Sequence, residues 1–257
     1  MPVPVHSIDL NADVGEGFGV WPPLADADLF PLISSASIAC GFHAGDPTLM
    51  RETAMLAARH GVVVGAHPGY PDLPGFGRRE LGASAAEIRD YVTYQVGAMM
   101  ACALAAGTRV RYVKPHGALY NRAVRDPAIA KAIADGVRAA DSGLALLGLA
   151  GSALLDAAAE TGLRPIAEAF LDRGYRKDGS LVPRDQPGAL IDDAAIAAAR
   201  AVRLVTEREV ETTDGSIIEV AAESLCVHGD DARAVIVLRA VRKSLASAGI
   251  AVAPFLR

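Results

Sequence analysis

The sequence predicts an α/β fold in which seven parallel strands close into a β/α barrel. Short apolar, β-branched runs alternate with longer alanine-rich segments of helical periodicity, as expected for parallel strands joined by crossover helices. The 257 residues contain no Ser/Gly linker, low-complexity tract or internal repeat. We therefore expect residues 1–257 to form a single domain, and consecutive βα units without a boundary favour a closed barrel over an open sheet.

Each strand of the predicted barrel is a short apolar run, and we place the strands near residues 5–11, 36–40, 62–66, 110–114, 144–148, 165–168 and 224–228. The helices are expected near residues 26–33, 47–60, 84–106, 126–140, 151–161, 191–204 and 231–248. Capping signals support three helix starts, because Asp46 and Asp126 each precede a proline and Ser84 begins a capping box with Glu87. A turn sequence within residues 207–221 interrupts the alternation, and we interpret this segment as a small β-hairpin excursion from the barrel.

Composition and charge exclude several classes of partner. The chain carries 25 basic and 30 acidic residues, a net charge of −5, and no basic run longer than Arg78-Arg79, so nucleic acid is not an expected partner. Charges or glycines interrupt every apolar window before about 18 residues accumulate, so no membrane span is expected. The N-terminus lacks the basic region of a signal peptide, and the three cysteines are too widely spaced for a disulfide framework. We expect a cytoplasmic protein with free thiols.

Polar side chains concentrate where the predicted strands end, which is where barrel enzymes place their active sites. The first strand runs into an acidic, glycine-rich segment, residues 9–19, which alone could be a turn stabilised by its own side chains. Four of the six histidines lie at or just after the ends of predicted strands, namely His43, His67, His116 and His228. A lone histidine there would more often be structural, but four of them with Lys114 can supply a general acid, a general base and electrostatic stabilisation. We therefore favour a catalytic rim.

Two long loops follow strands and could contact a ligand. The first carries Arg78 and Arg79, which could hold a carboxylate or phosphate, or could instead form a solvated loop with a local Arg–Glu pair. The second, residues 169–184, contains Arg173 and could form the opposite wall or a lid.

Other types of site have weaker support. The glycines at positions 15, 17 and 19 lack the following helix that a dinucleotide-binding motif needs, and no Gly-x-Ser-x-Gly nucleophile motif is present. Cys40 follows a strand but could be a small core residue. Asp13, His67 and His116 could form a two-histidine, one-carboxylate metal site, yet no His-x-x-x-His spacing supports it. Whether a metal is bound therefore stays open.

Eight segments together resemble one known family. They are residues 9–16 (DLNADVGE), 38–47 (IACGFHAGDP), 65–72 (GAHPGYPD), 75–79 (GFGRR), 113–121 (VKPHGALYN), 172–175 (DRGY), 181–184 (LVPR) and 228–230 (HGD). Because these multi-residue matches are specific and extend over essentially the whole chain, the sequence resembles the LamB/YcsF family, the family of the 5-oxoprolinase A subunit (PxpA).

The resemblance implies a distorted seven-stranded β/α barrel similar to that of polysaccharide deacetylases, the glycoside hydrolase-deacetylase barrel. It also implies a part in the ATP-dependent opening of 5-oxo-L-proline (pyroglutamate) to L-glutamate, together with partner subunits B and C. The chain has no Gly-Lys dipeptide and hence no P-loop, which fits an arrangement in which the partners handle ATP and activate the lactam.

With this resemblance in view, we assign hypothetical roles to the residues of the polar rim. The expected catalytic residues are Asp13, His43, His67, Lys114 and His116, and the expected substrate-binding residues are Asn11, Glu16, Asp46, Arg78, Arg79, Tyr120, Arg173 and His228. Asp13 or His43 would be the general base, and His67 or His116 the general acid. Lys114 would stabilise the oxyanion or the leaving phosphate, and Arg78 or Arg79 would hold the substrate carboxylate.

Two alternatives remain open at this point. The chain could be a stand-alone metal-dependent deacetylase or amidohydrolase that uses a divalent metal at Asp13, His67 and His116. It could instead be a non-catalytic subunit that captures the lactam for its partners.

Overall fold

A computed structural model describes residues 7–23, 26–228 and 233–256. Its strands are β1 (Ser7–Val14), β2 (Ser35–Ala39), β3 (Val63–His67), β4 (Val110–Val113), β5 (Ala145–Leu149), β6 (Arg164–Phe170), β7 (Glu209–Glu211), β8 (Ile217–Glu219), β9 (Ser224–Val227) and β10 (Ala251–Val252). Its α-helices are α1 (Asp26–Leu29), α2 (Pro47–His60), α3 (Ala85–Ala105), α4 (Gly117–Arg125), α5 (Pro127–Ala140), α6 (Ala153–Glu160), α7 (Ala194–Thr206) and α8 (Ala234–Ser247). Short 3₁₀ turns cover Phe30–Leu32 and Leu73–Gly75.

Seven of these strands form a closed parallel barrel. Strands β1 to β6 pair in chain order, β6 pairs with β9, and β9 pairs with β1 to close the ring. The predicted barrel is therefore confirmed, and each predicted strand overlaps an observed one. Strands β7 and β8 form an antiparallel hairpin apart from the barrel, within residues 207–221. The two-residue strand β10, which the sequence pattern did not predict, extends the sheet by pairing with the start of β1.

The helix starts follow the capping signals. The Asp46 side chain accepts hydrogen bonds from the backbone N–H groups of Thr48 and Leu49, and Ser84 with Glu87 forms the expected capping box. Asp126 caps α5 in the same way. Each cap satisfies backbone donors that the first helical turn leaves unpaired.

Further elements differ from the sequence prediction, since the predicted helix at residues 26–33 is the single turn α1 followed by the 3₁₀ turn Phe30–Leu32. Strand β1 extends to Val14 because its pairing with β2 continues through Asp13 and Val14, so Asp13 lies in the strand and not after it. Helix α4 was not predicted, because the glycine that begins it, Gly117, has φ +55° and favours a turn at the level of sequence. The predicted start of helix 231–248 falls at residues 231–232, which lie outside the described residues, as do residues 5–6 of the first predicted strand.

Alanine and glycine let the outer helices pack closely. A Cβ atom added to Gly136 of α5 would lie 2.6 Å from the carbonyl oxygen of Arg89 on α3, so only glycine permits this approach.

The barrel interior near the start of the strands is polar, since Asp9 accepts hydrogen bonds from the hydroxyls of Ser34, Ser35 and Ser224. None of the helices in the described ranges is both long and apolar enough to cross a membrane.

Candidate active site

Lys114 is a buried cation that directly follows β4. Its Nζ donates to Asp13 Oδ1 at 3.0 Å, to Asn11 Oδ1 at 3.2 Å and to Cys226 Sγ at 3.1 Å. Glu168 Oε2 lies 3.2 Å from the same Nζ. Burial alone would lower the pKa of Lys114, but the nearby Asp13 carboxylate and the other anionic neighbours raise that pKa well above its usual value. The ammonium is therefore held charged inside the barrel.

Asp13 and His67 connect this cation to the histidines. Asp13 Oδ2 lies 3.4 Å from His67 Nε2, and His67 Nδ1 lies 2.7 Å from the Lys114 carbonyl oxygen. Burial opposes ionisation of Asp13, but His67 and Lys114 hold the pKa of its carboxyl well below the usual range. Burial also opposes charge on His67, whereas Asp13 and Glu16 raise the pKa of that imidazole. The carboxylate of Asp13 is accordingly ionised and shared between two neighbours.

His116 and His43 complete a histidine cluster around Glu16. His116 Nδ1 lies 3.0 Å from His67 Nε2 and 3.2 Å from Glu16 Oε1. The His43 ring stacks on the His116 ring with centroids 3.7 Å apart, and its Nε2 lies 3.4 Å from Glu16 Oε1. Burial and the neighbouring imidazole of His116 lower the pKa of His43 to about 3. Glu16, His43, His67 and His116 each offer one ligand atom, all within 4.8 Å of one another.

Two glycines create the space for this cluster. A Cβ atom on Gly69 would lie 2.7 Å from His43 Nδ1. Gly77 has φ +62°, and a Cβ atom there would lie 2.7 Å from His43 Cβ and 2.8 Å from His116 Cδ2. The glycines of the 65–72 and 75–79 segments thus permit the close packing of the imidazoles.

A cavity of about 360 Å³ opens above this cluster. Ionisable and aromatic side chains dominate its lining, namely Asp13, Glu16, His67, Arg78, Lys114, His116, Tyr120, Phe170, Arg173, Arg184, Asp185 and His228. The buried Tyr120 hydroxyl has no hydrogen-bond partner among the described residues. A larger groove of about 620 Å³ lies between α7 and the β7–β8 hairpin, but none of the predicted site residues lines it. The smaller cavity is therefore the candidate active site.

His228 forms a dyad with Asp172 in the wall of the cavity. Asp172 Oδ2 lies 2.8 Å from His228 Nδ1 and accepts the backbone N–H of His228 at 3.0 Å. The His228 ring stacks on Phe170 with centroids 5.2 Å apart. Burial raises the pKa of Asp172, but His228 and the hydrogen bonds that it donates bring that pKa below its usual value. Because a carboxylate only accepts, His228 Nδ1 carries the proton and its Nε2 can accept one.

The remaining predicted site residues lie around this centre or away from it. Asn11 is fully buried below the cavity, where its Nδ2 donates to Glu168 and Ser224. Asp46 caps α2 and also accepts the backbone N–H of Gly19, and its position is outside the lining. Arg79 pairs with the carboxylate of Asp72 and is also outside the lining.

Arg173 lines the cavity but also holds the neighbouring loop together. It is buried, and its guanidinium donates to the carbonyl oxygens of Val182 and Ala189. Arg78 lines the cavity too, with its guanidinium 5.1 Å from the centre of the Phe76 ring. The functional roles assigned to these residues stay predictions.

Sequence reasoning missed three residues that contact the predicted site residues. Glu168 and Cys226 lie in β6 and β9 and both contact Lys114, and Asp172 orients His228. The sequence pattern could have indicated Glu168, because it is a glutamate inside an otherwise apolar predicted strand and a buried carboxylate needs a partner. Asp172 follows the end of β6 after one intervening residue, the same kind of position as the rim histidines.

Comparisons with known proteins agree with this architecture. A model of the LamB/YcsF family matches residues 8–257. The 5-oxoprolinase A subunit 1 of Agrobacterium fabrum is 50% identical over 249 residues, which cover 97% of this chain and 98% of that protein. The crystal structure of the lactam utilization protein from Thermus thermophilus superposes with a TM-score of 0.91 at 48% identity, covering 97% of this chain and 100% of that one.

A more distant structure shares the fold alone. The CE4 family pseudoenzyme from Bacillus anthracis superposes with a TM-score of 0.50 at 11% identity, covering 98% of this chain and 64% of that one. The family match, in contrast, extends from β1 to the last residue and includes the strand ends that surround the cavity. The chain belongs to the LamB/YcsF family.

Proposed function

We propose that this chain is the A subunit of a 5-oxoprolinase and that its cavity is where the lactam ring of 5-oxo-L-proline is opened to L-glutamate. Relatives that are about half identical over nearly their full length are named as 5-oxoprolinase A subunits. The observation that carries the proposal is the convergence, in one cavity of about 360 Å³, of a buried ammonium, an Asp-held imidazole and arginine side chains. A small anionic amide needs these three kinds of group.

The chemistry explains why the reaction would consume ATP. A five-membered lactam is a stable amide, so its carbonyl carbon is a poor electrophile. Phosphorylation of the carbonyl oxygen by ATP, which we assign to partner subunits B and C, makes that carbon reactive. Water then adds to the carbon and loses a proton to a base, the C–N bond breaks as the ring nitrogen takes up a proton, and a second water releases phosphate from the resulting acyl phosphate.

His228 is the base that the geometry favours. Its Nδ1 proton is held by Asp172 Oδ2 at 2.8 Å, so the lone pair is on Nε2, which would take the proton of the attacking water and return it to the ring nitrogen. Asp13 is a weaker candidate, because Lys114 and His67 hold the pKa of its carboxyl well below its usual value. His43 is also weaker, because it lies behind His116 and outside the cavity lining.

Lys114 provides the electrostatic component. A preorganised ammonium stabilises negative charge that develops on oxygen in the transition state, and burial strengthens that interaction. Asp13 positions the ammonium by accepting its hydrogen bond at 3.0 Å. Arg78, Arg173 and Arg184 line the same cavity and supply positive charge for the substrate carboxylate.

The proposal is tested by reconstitution. The purified chain is mixed with subunits B and C of a 5-oxoprolinase, ATP and 5-oxo-L-proline, and glutamate release is followed, with mixtures that omit one component as controls. Ring opening that needs this chain supports the proposal. Glutamate formation at the same rate without this chain would overturn it, and ring opening by this chain alone, without ATP, would favour the stand-alone hydrolase.

A further inference from the structure

We propose that Glu16, His67 and His116, with Asp13 beside them, bind one divalent transition-metal ion of the zinc class. The inference concerns residues that line the cavity and does not depend on the proposed reaction. It rests on the hydrogen-bonding states of two imidazoles, on a buried carboxylate oxygen without a hydrogen bond among the described residues, and on the distances among four ligand atoms.

The two imidazoles direct lone pairs at each other. His67 Nδ1 lies 2.7 Å from the Lys114 carbonyl oxygen, and His116 Nε2 lies 2.9 Å from the Phe76 carbonyl oxygen. Because a carbonyl only accepts, each of these nitrogens carries a proton, and in the neutral ring the other nitrogen is then a lone pair. Those lone pairs, His67 Nε2 and His116 Nδ1, are 3.0 Å apart. A histidine that binds a metal usually donates its second N–H to a carbonyl in this way.

Two carboxylates face the same point. Glu16 Oε1 lies 3.2 Å from His116 Nδ1 and 3.9 Å from His67 Nε2, and Asp13 Oδ2 lies 3.4 Å from His67 Nε2. The Glu16 side chain is only 8% exposed, and its Oε1 has no hydrogen-bond partner among the described residues. A proton shared by the imidazoles would pair those two nitrogens and leave Glu16 Oε1 with His43 Nε2, 3.4 Å away, as a remaining donor. One divalent cation would satisfy all of these acceptors.

The distances fit a small ion with nitrogen and oxygen ligands. A tetrahedral site with metal–ligand bonds of about 2.0–2.1 Å places its ligand atoms about 3.3–3.4 Å apart. The separations among the imidazole nitrogens and carboxylate oxygens given above, 3.0, 3.2, 3.4 and 3.9 Å, lie on both sides of that value. Two imidazoles with carboxylates favour Zn²⁺ or Co²⁺ over Ca²⁺ and Mg²⁺, which prefer oxygen ligands.

His43 is close to the cluster but is not a ligand together with His116 in this arrangement. The two rings are nearly parallel, with an interplanar angle of 5° and centroids 3.7 Å apart. An imidazole nitrogen binds a metal in the plane of its ring, so one ion cannot lie in both planes. The His67 ring, in contrast, is nearly perpendicular to the His116 ring, at 88°, and both planes can contain the ion.

The ion would have a defined place relative to the cavity. Asp13, Glu16, His67 and His116 all line it. When bound, the ion would supply a Lewis-acidic positive charge next to Lys114. Glu16, His67 and His116 would hold it, and the carbonyl oxygens of Phe76 and Lys114 keep the two imidazoles in the binding tautomer.

The test measures metal binding on the full chain, without lactam, ATP or partner subunits. The protein is stripped with a chelator, loaded with Zn²⁺ or Co²⁺ and passed through a desalting column, and retained metal is measured by elemental analysis. We expect about one ion per wild-type chain and at least a tenfold weaker affinity in Glu16→Gln and His116→Gln. His60→Ala, which removes an exposed histidine at the end of α2, is the matched control and should bind as the wild type does.

A second measurement covers variants that fail to fold. In the Co²⁺-loaded wild type, NMR should show two strongly shifted exchangeable imidazole protons, one from His67 Nδ1–H and one from His116 Nε2–H. A folded wild-type chain that retains no stoichiometric metal, or Co²⁺ binding without shifted imidazole protons, would overturn the inference. Since no substrate is used, this outcome is independent of whether the reconstituted complex opens the lactam.

Discussion

The ammonium of Lys114 lies 3.0 Å from the Asp13 carboxylate, and both side chains are buried inside the barrel. Glu168 lies 3.2 Å from the same ammonium, so one buried cation faces two buried carboxylates. Loss of the ammonium would leave both carboxylates buried without their shared cation. The arrangement therefore couples the stability of the barrel to the electrostatics of its cavity.

Removal of the Lys114 charge should destabilise the fold. We expect Lys114→Met to lower the free energy of unfolding by about 3–5 kcal/mol, because Asp13 and Glu168 would be left buried without a cation. The double variant Lys114→Met/Glu168→Gln should recover part of that loss. Urea unfolding monitored by circular dichroism measures both values. Equal stability of the single and double variants would contradict the claim that Lys114 compensates the buried charge of Glu168.

Asp172 should act through His228. We expect Asp172→Asn to reduce glutamate formation by the reconstituted complex about 10²-fold or more, because an amide can donate to Nδ1 and favour the wrong tautomer. His228→Gln should cause a similar loss, and the double variant should lose little more than either single variant, since the two residues act as a unit. Losses that multiply in the double variant would show that they act separately.

Position 77 should require glycine for two reasons, its positive φ and the lack of space for a side chain next to His43 and His116. Gly77→Ala places a Cβ atom 2.7 Å from His43 Cβ at a positive φ, so we expect a loss of about 2–4 kcal/mol and displacement of the histidine cluster. Gly179→Ala is the control, because Gly179 also has a positive φ, +82°, but no atom near the added Cβ. It should cost about 1 kcal/mol. Thermal unfolding of the two variants distinguishes contact from backbone strain.

Asp9 should make stability depend on pH. Burial raises the pKa of its carboxyl from 3.8 to about 6, although three serine hydroxyls oppose this. The folded chain thus binds this proton more tightly than the unfolded chain, so the contribution of Asp9 is fully present below pH 4 and is lost as the pH rises to 6.

The variant Asp9→Asn removes this dependence. Relative to the wild type, its free energy of unfolding should rise by about 2–3 kcal/mol between pH 4 and pH 7, because the folded and unfolded pKa values of Asp9 differ by about 2 units. Urea unfolding at several pH values measures the difference. A constant offset between Asp9→Asn and the wild type would contradict the raised pKa.

The sequence predicted those parts of the fold that depend on local pattern. Strand positions follow from apolar periodicity, and the rim histidines follow from the rule that parallel strands bring their carboxyl ends to one side. His43, His67 and His116 do meet there. Helix α4 was not predicted because it begins at a glycine, Gly117, and glycine is typical of turns. In the structure Gly117 has a left-handed conformation.

The pairings within the site could not be predicted in the same way. His228 was grouped with the other rim histidines, but it pairs with Asp172 at a distance of 56 residues along the chain. Glu168 and Cys226 contact Lys114 because β6 and β9 pair in a specific register. Register and loop path depend on tertiary packing, so the sequence indicated the rim but not the partner of each side chain.

The central claim, that the lactam ring is opened in this cavity, is tested most directly by one measurement on the His228→Gln complex. The His228→Gln chain is mixed with subunits B and C, ATP and 5-oxo-L-proline. ADP and glutamate are then quantified during the first turnover. Because the partners would activate the lactam and His228 would only promote water attack, we predict that ADP still forms while glutamate formation falls about 10²-fold or more. Glutamate formation at the wild-type rate would contradict the account.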